Sequence, residues 1–221
     1  MNLWAVIPSG NRPEMLNNLV NQLSDDGVKI VVIDTGYDVS WEVQNPNAIT
    51  IFAEIEPKNI SRWWNLGLDY AKTVERDNEH VVAVLNDDIV IPKRFVQKLA
   101  EELMQTGAAA AYPDQHDVLA DGRLGNRLIH EYAVPVDLRT RLCGYAFALR
   151  GSANLRADET LQWWYGDDDL DWRARQSGGS VMVRGLKVEH LSANSTTVGK
   201  LAEQAGRDRQ TFIDKWRTAP W

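Results

Sequence analysis

The chain has 221 residues and a mass of 25.0 kDa, enough for one sizeable core, so a single α/β domain with a C-terminal extension is the expected count. A net charge of −7 and a pI near 5.1 argue against broad binding to a phosphate backbone, which rests on clustered Lys and Arg. Cys143 is the only cysteine, which excludes an intramolecular disulfide, and no apolar run approaches the roughly 18 residues of a membrane span; the expectation is a cytoplasmic protein without membrane insertion.

Leu3 to Ile7 predicts a first strand, and Pro8 to Glu14 a turn into a helix whose Leu16, Leu19, Val20 and Leu23 form one apolar stripe. Asn11 and Glu14 have the spacing of a capping box, and Pro13 suits a first turn. Lys29 to Ile33 predicts a second buried strand ending in Asp34, a position from which an acid can hydrogen-bond a ribose or cap a turn. Ile49 to Phe52 reads as a third strand. In the following helix Ser61 is the expected cap, Trp64, Leu68 and Ala71 face the sheet, and Arg62 and Asn65 lie near the anion-attracting end.

The chain is organised around His80 to Ile91. Val81 to Leu85 is a β-branched run that reads as a strand buried on both faces, and it empties into Asn86-Asp87-Asp88. Two carboxylates at a strand's end repel unless a cation or strong donors neutralise them, and the carboxyl edge of a parallel sheet is where open α/β folds place ligands. A divalent ion with oxygen ligands, Mg²⁺ or Mn²⁺, is one reading; turn capping by Asn86 and Asp87 with a solvated Asp88 is the other. After Pro92, Phe95, Val96, Leu99 and Leu103 have helical spacing. Strand and helix have then alternated four times, which predicts a parallel sheet with right-handed crossovers. No GxGxxG or P-loop pattern follows any strand.

Ala108 to Tyr112 and Cys143 to Leu149 read as further strands, separated by a long polar loop at 113 to 127 and by Arg139 and Arg141, candidates to meet a diphosphate. Trp163-Trp164-Tyr165-Gly166 then leads into Asp167-Asp168-Asp169-Leu170-Asp171 and a short Arg-bearing helix ended by Gly178. Early acids and late arginines match the helix dipole, but three consecutive acids exceed what capping requires, and one can serve as general base near a metal. Val181 to Val183 and Leu186 to Val188 read as short strands, the second running into Glu189 and His190, an imidazole available to the same metal. Leu201, Ala205, Phe212 and Trp216 mark one or two closing helices. Nine tryptophans is a high count; aromatic faces can stack on sugar rings, yet for any single one a place in the core is the favoured reading.

Taken in order, Pro8-Ser9-Gly10-Asn11-Arg12-Pro13, Val32-Ile33-Asp34, Asn65-x-Gly67, Leu85-Asn86-Asp87-Asp88, Asp167 to Gly178 and Glu189-His190 with Ser195 resemble the nucleotide-sugar glycosyltransferases of family 2, over roughly residues 3 to 197. The resemblance implies a GT-A type α/β domain at 1–197, with a mostly parallel central sheet flanked by helices, and a helical extension at 198–221. It implies a donor site from Pro8, Ser9, Arg12, Asp34, Arg62, Asn65, Asn86 and Asp87, in which Pro8, Arg12 and Asp34 hold the nucleoside, commonly uridine. Asp88 and His190 would hold Mn²⁺ or Mg²⁺, Asp167 would be the base with Asp168 and Asp169 as alternatives, and Trp163, Trp164 and Tyr165 would meet the acceptor. The implied reaction is metal-dependent transfer, with inversion, from a UDP-sugar to a hydroxyl of a glycan, a small molecule or a modified DNA base. Asn86 departs from a strict Asp-x-Asp, and Gly166 stands where the family usually has Glu. The competing readings are a DNA-base (hydroxymethyl-pyrimidine) glycosyltransferase of the same fold, a GT-A-like nucleotidyltransferase and a non-catalytic binding module.

Overall fold

The computed structural model describes residues 1–10, 12–36, 45–53, 57–76, 79–120, 125–191 and 199–221. Asn11 of the expected capping box, Ser195 and the 197/198 boundary lie outside them.

In the first half, β1 (Asn2–Ser9), β2 (Lys29–Asp34), β3 (Ala48–Phe52) and β4 (His80–Leu85) form parallel ladders in the order β3-β2-β1-β4, with α1 (Pro13–Asp25) and α2 (Ile60–Val74) as covering helices. After the short β5 (Ile89–Val90) and α3 (Phe95–Thr106), the sheet continues through β6 (Ala110–Pro113), β7 (Arg127–Ile129), β8 (Ala146–Arg150) and β9 (Ser180–Val183). The complete order is β3-β2-β1-β4-β8-β6-β9-β7, and β8 runs antiparallel between β4 and β6. The parallel sheet expected from the first half is therefore interrupted once the chain leaves α3. β7 also pairs antiparallel with β9, a strand that the polar 113 to 127 stretch does not announce.

The strands alternate faithfully. Ala5, Ile7, Ile30, Val32, Val81, Ala83 and Leu85 point to the face covered by α1 and α3. Trp4, Val6, Val31, Ile33, Val82, Val84 and Phe147 point to the face covered by α2 and α4 (Gly166–Ser177). Burial of alternate residues on both faces is why these strands read as continuous apolar runs. Gly67 lets α2 lie directly on β1, because a Cβ there would stand 2.3 Å from Val6 Cγ1. A separate cluster of Leu161, Tyr165, Trp172 and Phe212 joins α4 to α5 (Lys200–Trp216), the expected C-terminal helix.

Two local expectations are corrected. The cap of α2 is Asn59, whose side chain accepts from the Arg62 N–H at 2.9 Å; Ser61 lies inside the helix and donates instead to the Leu161 carbonyl at 2.6 Å. Leu186 to Val188 is not a strand. Leu186 and Val188 bury their side chains in the core beneath α1 and α3, and ladder pairing begins only at β10 (Glu189–His190), antiparallel to β5.

Candidate active site

The first acidic group forms where β1 and β4 end side by side. Ser9 Oγ donates to Asp87 Oδ2 at 2.8 Å, and Arg12 Nη1 bridges Asp87 Oδ1 at 3.0 Å and Asp88 Oδ2 at 2.6 Å. Both carboxylates are nearly closed off from solvent. Burial pushes the Asp87 carboxyl above its ordinary value, with the Asp88 charge adding to it; Ser9, Arg12 and the Gly10 backbone pull the other way. The remaining oxygen of Asp88 lies 3.1 Å from His190 Nε2. That contact is built by the β5–β10 ladder, which pairs His190 with Ile89, and by the Leu191 N–H donating to the Asp88 carbonyl at 2.9 Å. The ring of Tyr145 stacks on His190 with centroids 5.0 Å apart and planes at 16°.

Asp34 ends β2 beside Ser9, and its carboxylate accepts from the Gly36 N–H at 2.7 Å, the turn-capping role that its sequence position allowed. Pro8 pairs with Ile33 across the same strands. Asn86 is anchored by its backbone N–H to the Tyr145 carbonyl at 2.9 Å. Pro8, Ser9, Arg12, Asp34, Asn86, Asp87, Asp88 and His190 thus gather at one edge of the sheet.

The second acidic group opens α4. Tyr165 precedes the helix in the left-handed conformation at φ 64°, and Gly166 fits where a Cβ would stand 2.6 Å from Ser61 Oγ. The three aspartates that follow have three different fates. Asp167 is partly exposed and its Oδ2 accepts from the Gly144 N–H at 2.9 Å, with Arg141 Nη1 at 3.8 Å. Asp168 is buried and both its oxygens lie 2.9 Å from Arg141 Nη1. Burial, with the Asp167 charge, pushes its carboxyl up to about 7 despite Arg141. Burial opposes the Arg141 charge, but Asp167 and Asp168 outweigh it and hold the guanidinium firmly protonated. Asp169 is fully buried among Arg173 at 2.8 Å, Lys215 at 2.7 Å and Trp216 Nε1 at 2.8 Å. It ties α4 to α5, and that geometry removes it from the candidate bases.

The segment entering β8 joins the two groups, since Gly144 holds Asp167 and Tyr145 lies on His190. Several other residues expected at the site have contacts of their own. Asn65 is spent on the loop below, donating to Ala157 O and Glu159 Oε1 and accepting from the Ala157 N–H, each at 2.9 Å. Arg62 is exposed on α2, and Arg139 is bound to its neighbour Asp137 rather than to a waiting anion. Trp163 meets Trp63 edge-on at 5.8 Å, Trp164 packs on the α4–α5 cluster and Tyr165 is buried. The backbone of this aromatic turn is held by Asp208 of α5, which accepts from the N–H groups of Gln162, Trp163 and Trp164 at 3.2, 2.8 and 2.9 Å. Asp208 and Arg141 carry no sequence signal for these roles, because their partners lie 44 to 46 and 27 residues away.

Asp88 and His190 fit a divalent cation as a carboxylate–imidazole pair. Among the described residues no three His, Cys, Asp or Glu side chains form a ready cage. A divalent cation held by Asp88 and His190 would supply a concentrated positive charge beside the end of β4. Arg12 now neutralises Asp88 from its other side.

A Rossmann-like half-sheet continued by an antiparallel strand, with acids just after β4 and in the first turn of α4, defines an α/β protein of the kind that places its ligands at the sheet's carboxyl edge. The model of glycosyl transferase family 2 matches residues 4–155, and the chain belongs to that family. The fold is of the GT-A type. S. aureus TarS, residues 1–349, superposes with a TM-score of 0.59 at 16% identity, covering 85% of this chain and 59% of that one. GalNAc-T7, whose crystal structure holds UDP, GalNAc and Mn²⁺, gives 0.64 at 13% identity, covering 98% and 49%. A mycobacterial protein gives 0.62 at 16% identity, covering 98% and 75%. The chain therefore spans about half to three-fifths of the first two. No curated protein matches it. No helix among the described residues is long and apolar enough to cross a membrane.

Proposed function

We propose that the protein transfers a sugar from a nucleotide donor, with UDP-sugar favoured, to an acceptor hydroxyl with inversion at the anomeric carbon. The observation that carries this reading is the shared span of Gly144 and Tyr145, which places a partly exposed carboxylate on one side and the Asp88–His190 pair on the other. Asp87, Ser9 and Arg12 form the donor side. Mn²⁺ or Mg²⁺, when bound by Asp88 and His190, would offset negative charge on the departing diphosphate. Asp167 Oδ1, the carboxylate oxygen not bound by Gly144, takes the acceptor's proton while the acceptor oxygen bonds to the anomeric carbon. The bond from that carbon to the diphosphate oxygen breaks, and its electron pair leaves with the nucleotide. A single Cys143 and no disulfide suit a cytoplasmic setting.

The test is thermal shift against a nucleotide panel with and without Mn²⁺, followed by hydrolysis of the best donor. Stabilisation by UDP that depends on Mn²⁺ and is lost in both Asp88→Ala and His190→Ala is expected. A uniform lack of response across the panel would leave a non-catalytic module.

A further inference from the structure

Residues 218–221 return to the acid-bearing end of α4. Pro220 O accepts from the Val136 N–H at 2.9 Å, which pins the segment. The Trp221 ring then stacks on Tyr165, with centroids 5.8 Å apart and planes at 24°. The Arg141 guanidinium lies 5.8 Å from the same indole's centroid. These two contacts are the residues that set the candidate base: Tyr165 makes the left-handed turn two residues before Asp167, and Arg141 clamps Asp168 and lies beside Asp167. Yet Trp221 remains 43% exposed. A large indole fixed on two sides and open on the rest is a surface prepared for a partner ring.

We propose that Trp221 is the acceptor platform of this enzyme: it stacks the C–H face of a pyranose, so that a ring hydroxyl is presented to Asp167. This rests on the glycosyltransferase reading above and moves the acceptor contact from Trp163–Tyr165 to Trp221, because Tyr165 is the buried floor under the indole. A carbohydrate suits the surroundings better than a nucleic acid. The rim is acidic at Asp167, and the neighbouring Arg139 and Arg141 are already committed to Asp137 and Asp168, so neither guanidinium is free to meet a polyphosphate.

The experiment uses saturation-transfer NMR on the full chain with UDP and Mn²⁺ present, and with methyl glycosides of glucose, galactose and N-acetylglucosamine as probes. The wild type is expected to saturate the ring protons of at least one glycoside. Trp221→Ala should weaken that glycoside's binding about five- to tenfold, as loss of a ring stack does, and Trp221→Phe should retain most of it. The Mn²⁺-dependent UDP thermal shift should be the same in all three proteins. Trp221→Ala binding the glycoside like the wild type, or losing the UDP shift as well, overturns the platform. So does a wild type that binds 5-hydroxymethylcytidine and none of the glycosides. Absence of the UDP shift in the wild type overturns the glycosyltransferase reading instead.

Discussion

The main-chain N–H of Gly144 points at Asp167 Oδ2 from 2.9 Å, and this bond orients the carboxylate proposed as the base. A Cβ on Gly144 would stand 3.1 Å from that oxygen and 3.2 Å from Trp64 Cη2. The indole is locked in the core, so the carboxylate must give way. Gly144→Ala is therefore expected to displace the carboxylate by a few tenths of an ångström and to lower kcat by up to about tenfold, short of the roughly 100-fold effect of a full 1 Å misplacement, while the UDP thermal shift stays intact. Wild-type kcat in this variant would show that the bond does not position the base.

Asp167 and Asp169 are expected to differ in what their loss affects, turnover for one and stability for the other. Asp167→Asn keeps the shape of a partly exposed residue and removes its basicity, so kcat should fall about 10²- to 10⁴-fold with little change in unfolding free energy. Asp169→Asn leaves the positive charges of Arg173 and Lys215 against a neutral, fully buried side chain. Asp169 is fully buried but Arg173 and Lys215 keep 25% and 34% of their side chains exposed, so the loss should be about 1–3 kcal/mol, and denaturant unfolding should show it. A stable Asp169→Asn protein with collapsed kcat would reverse the two assignments.

How much of this was legible follows from what each residue's signal depends on. The strands of the first half are announced by runs such as Lys29 to Ile33 and Val81 to Leu85, because burial on both faces leaves no polar interruption. The Asp88–His190 pairing was legible from order along the chain, through the family resemblance, and the structure sets the two 3.1 Å apart. Asp167, Asp168 and Asp169 look alike in sequence. They differ only by successive rotations of about 100° around α4, which turn one to Gly144, one to Arg141 and one to α5. Leu186 to Val188 misled because an apolar triplet marks burial without revealing whether a neighbouring strand is there to pair with it. Asn65 reads as a polar residue near a helix start, and only the loop at 157–159 shows that its amide is fully engaged.

The titration of Asp168 has a defined sign. Burial, with the charge of Asp167, raises its folded pKa to about 7, above the ordinary carboxyl value near 3.8. The fold thus favours the protonated form, a stabilisation complete below the ordinary value and lost as pH rises through about 7. Asp168→Asn is fixed in a neutral form and lacks that dependence. Its Tm relative to the wild type should therefore climb between pH 4 and pH 8, read from parallel melts. A constant offset across this range would mean that Asp168 stays ionised throughout in its pair with Arg141.

Arg12 stands between Asp87 and Asp88 with its Nη1 bonded to both, supplying the positive charge that two adjacent buried carboxylates need. A divalent cation, if held by Asp88 and His190 as proposed, would approach the same negative charge, and guanidinium and metal would then oppose each other electrostatically. Arg12→Gln removes the opposing charge while keeping a hydrogen-bonding amide. Coulomb repulsion over a few ångströms, at the effective dielectric of a partly exposed site, amounts to a few kcal/mol, of which solvent screening and the mobility of a side chain 36% exposed leave only part. Mn²⁺ affinity without nucleotide should accordingly rise roughly tenfold in Arg12→Gln, measured by electron paramagnetic resonance of free Mn²⁺. The added affinity should vanish in the double variant with His190→Ala, because the gain requires the imidazole as ligand. Unchanged or weaker Mn²⁺ binding in Arg12→Gln would show that the guanidinium and the metal do not compete for Asp88.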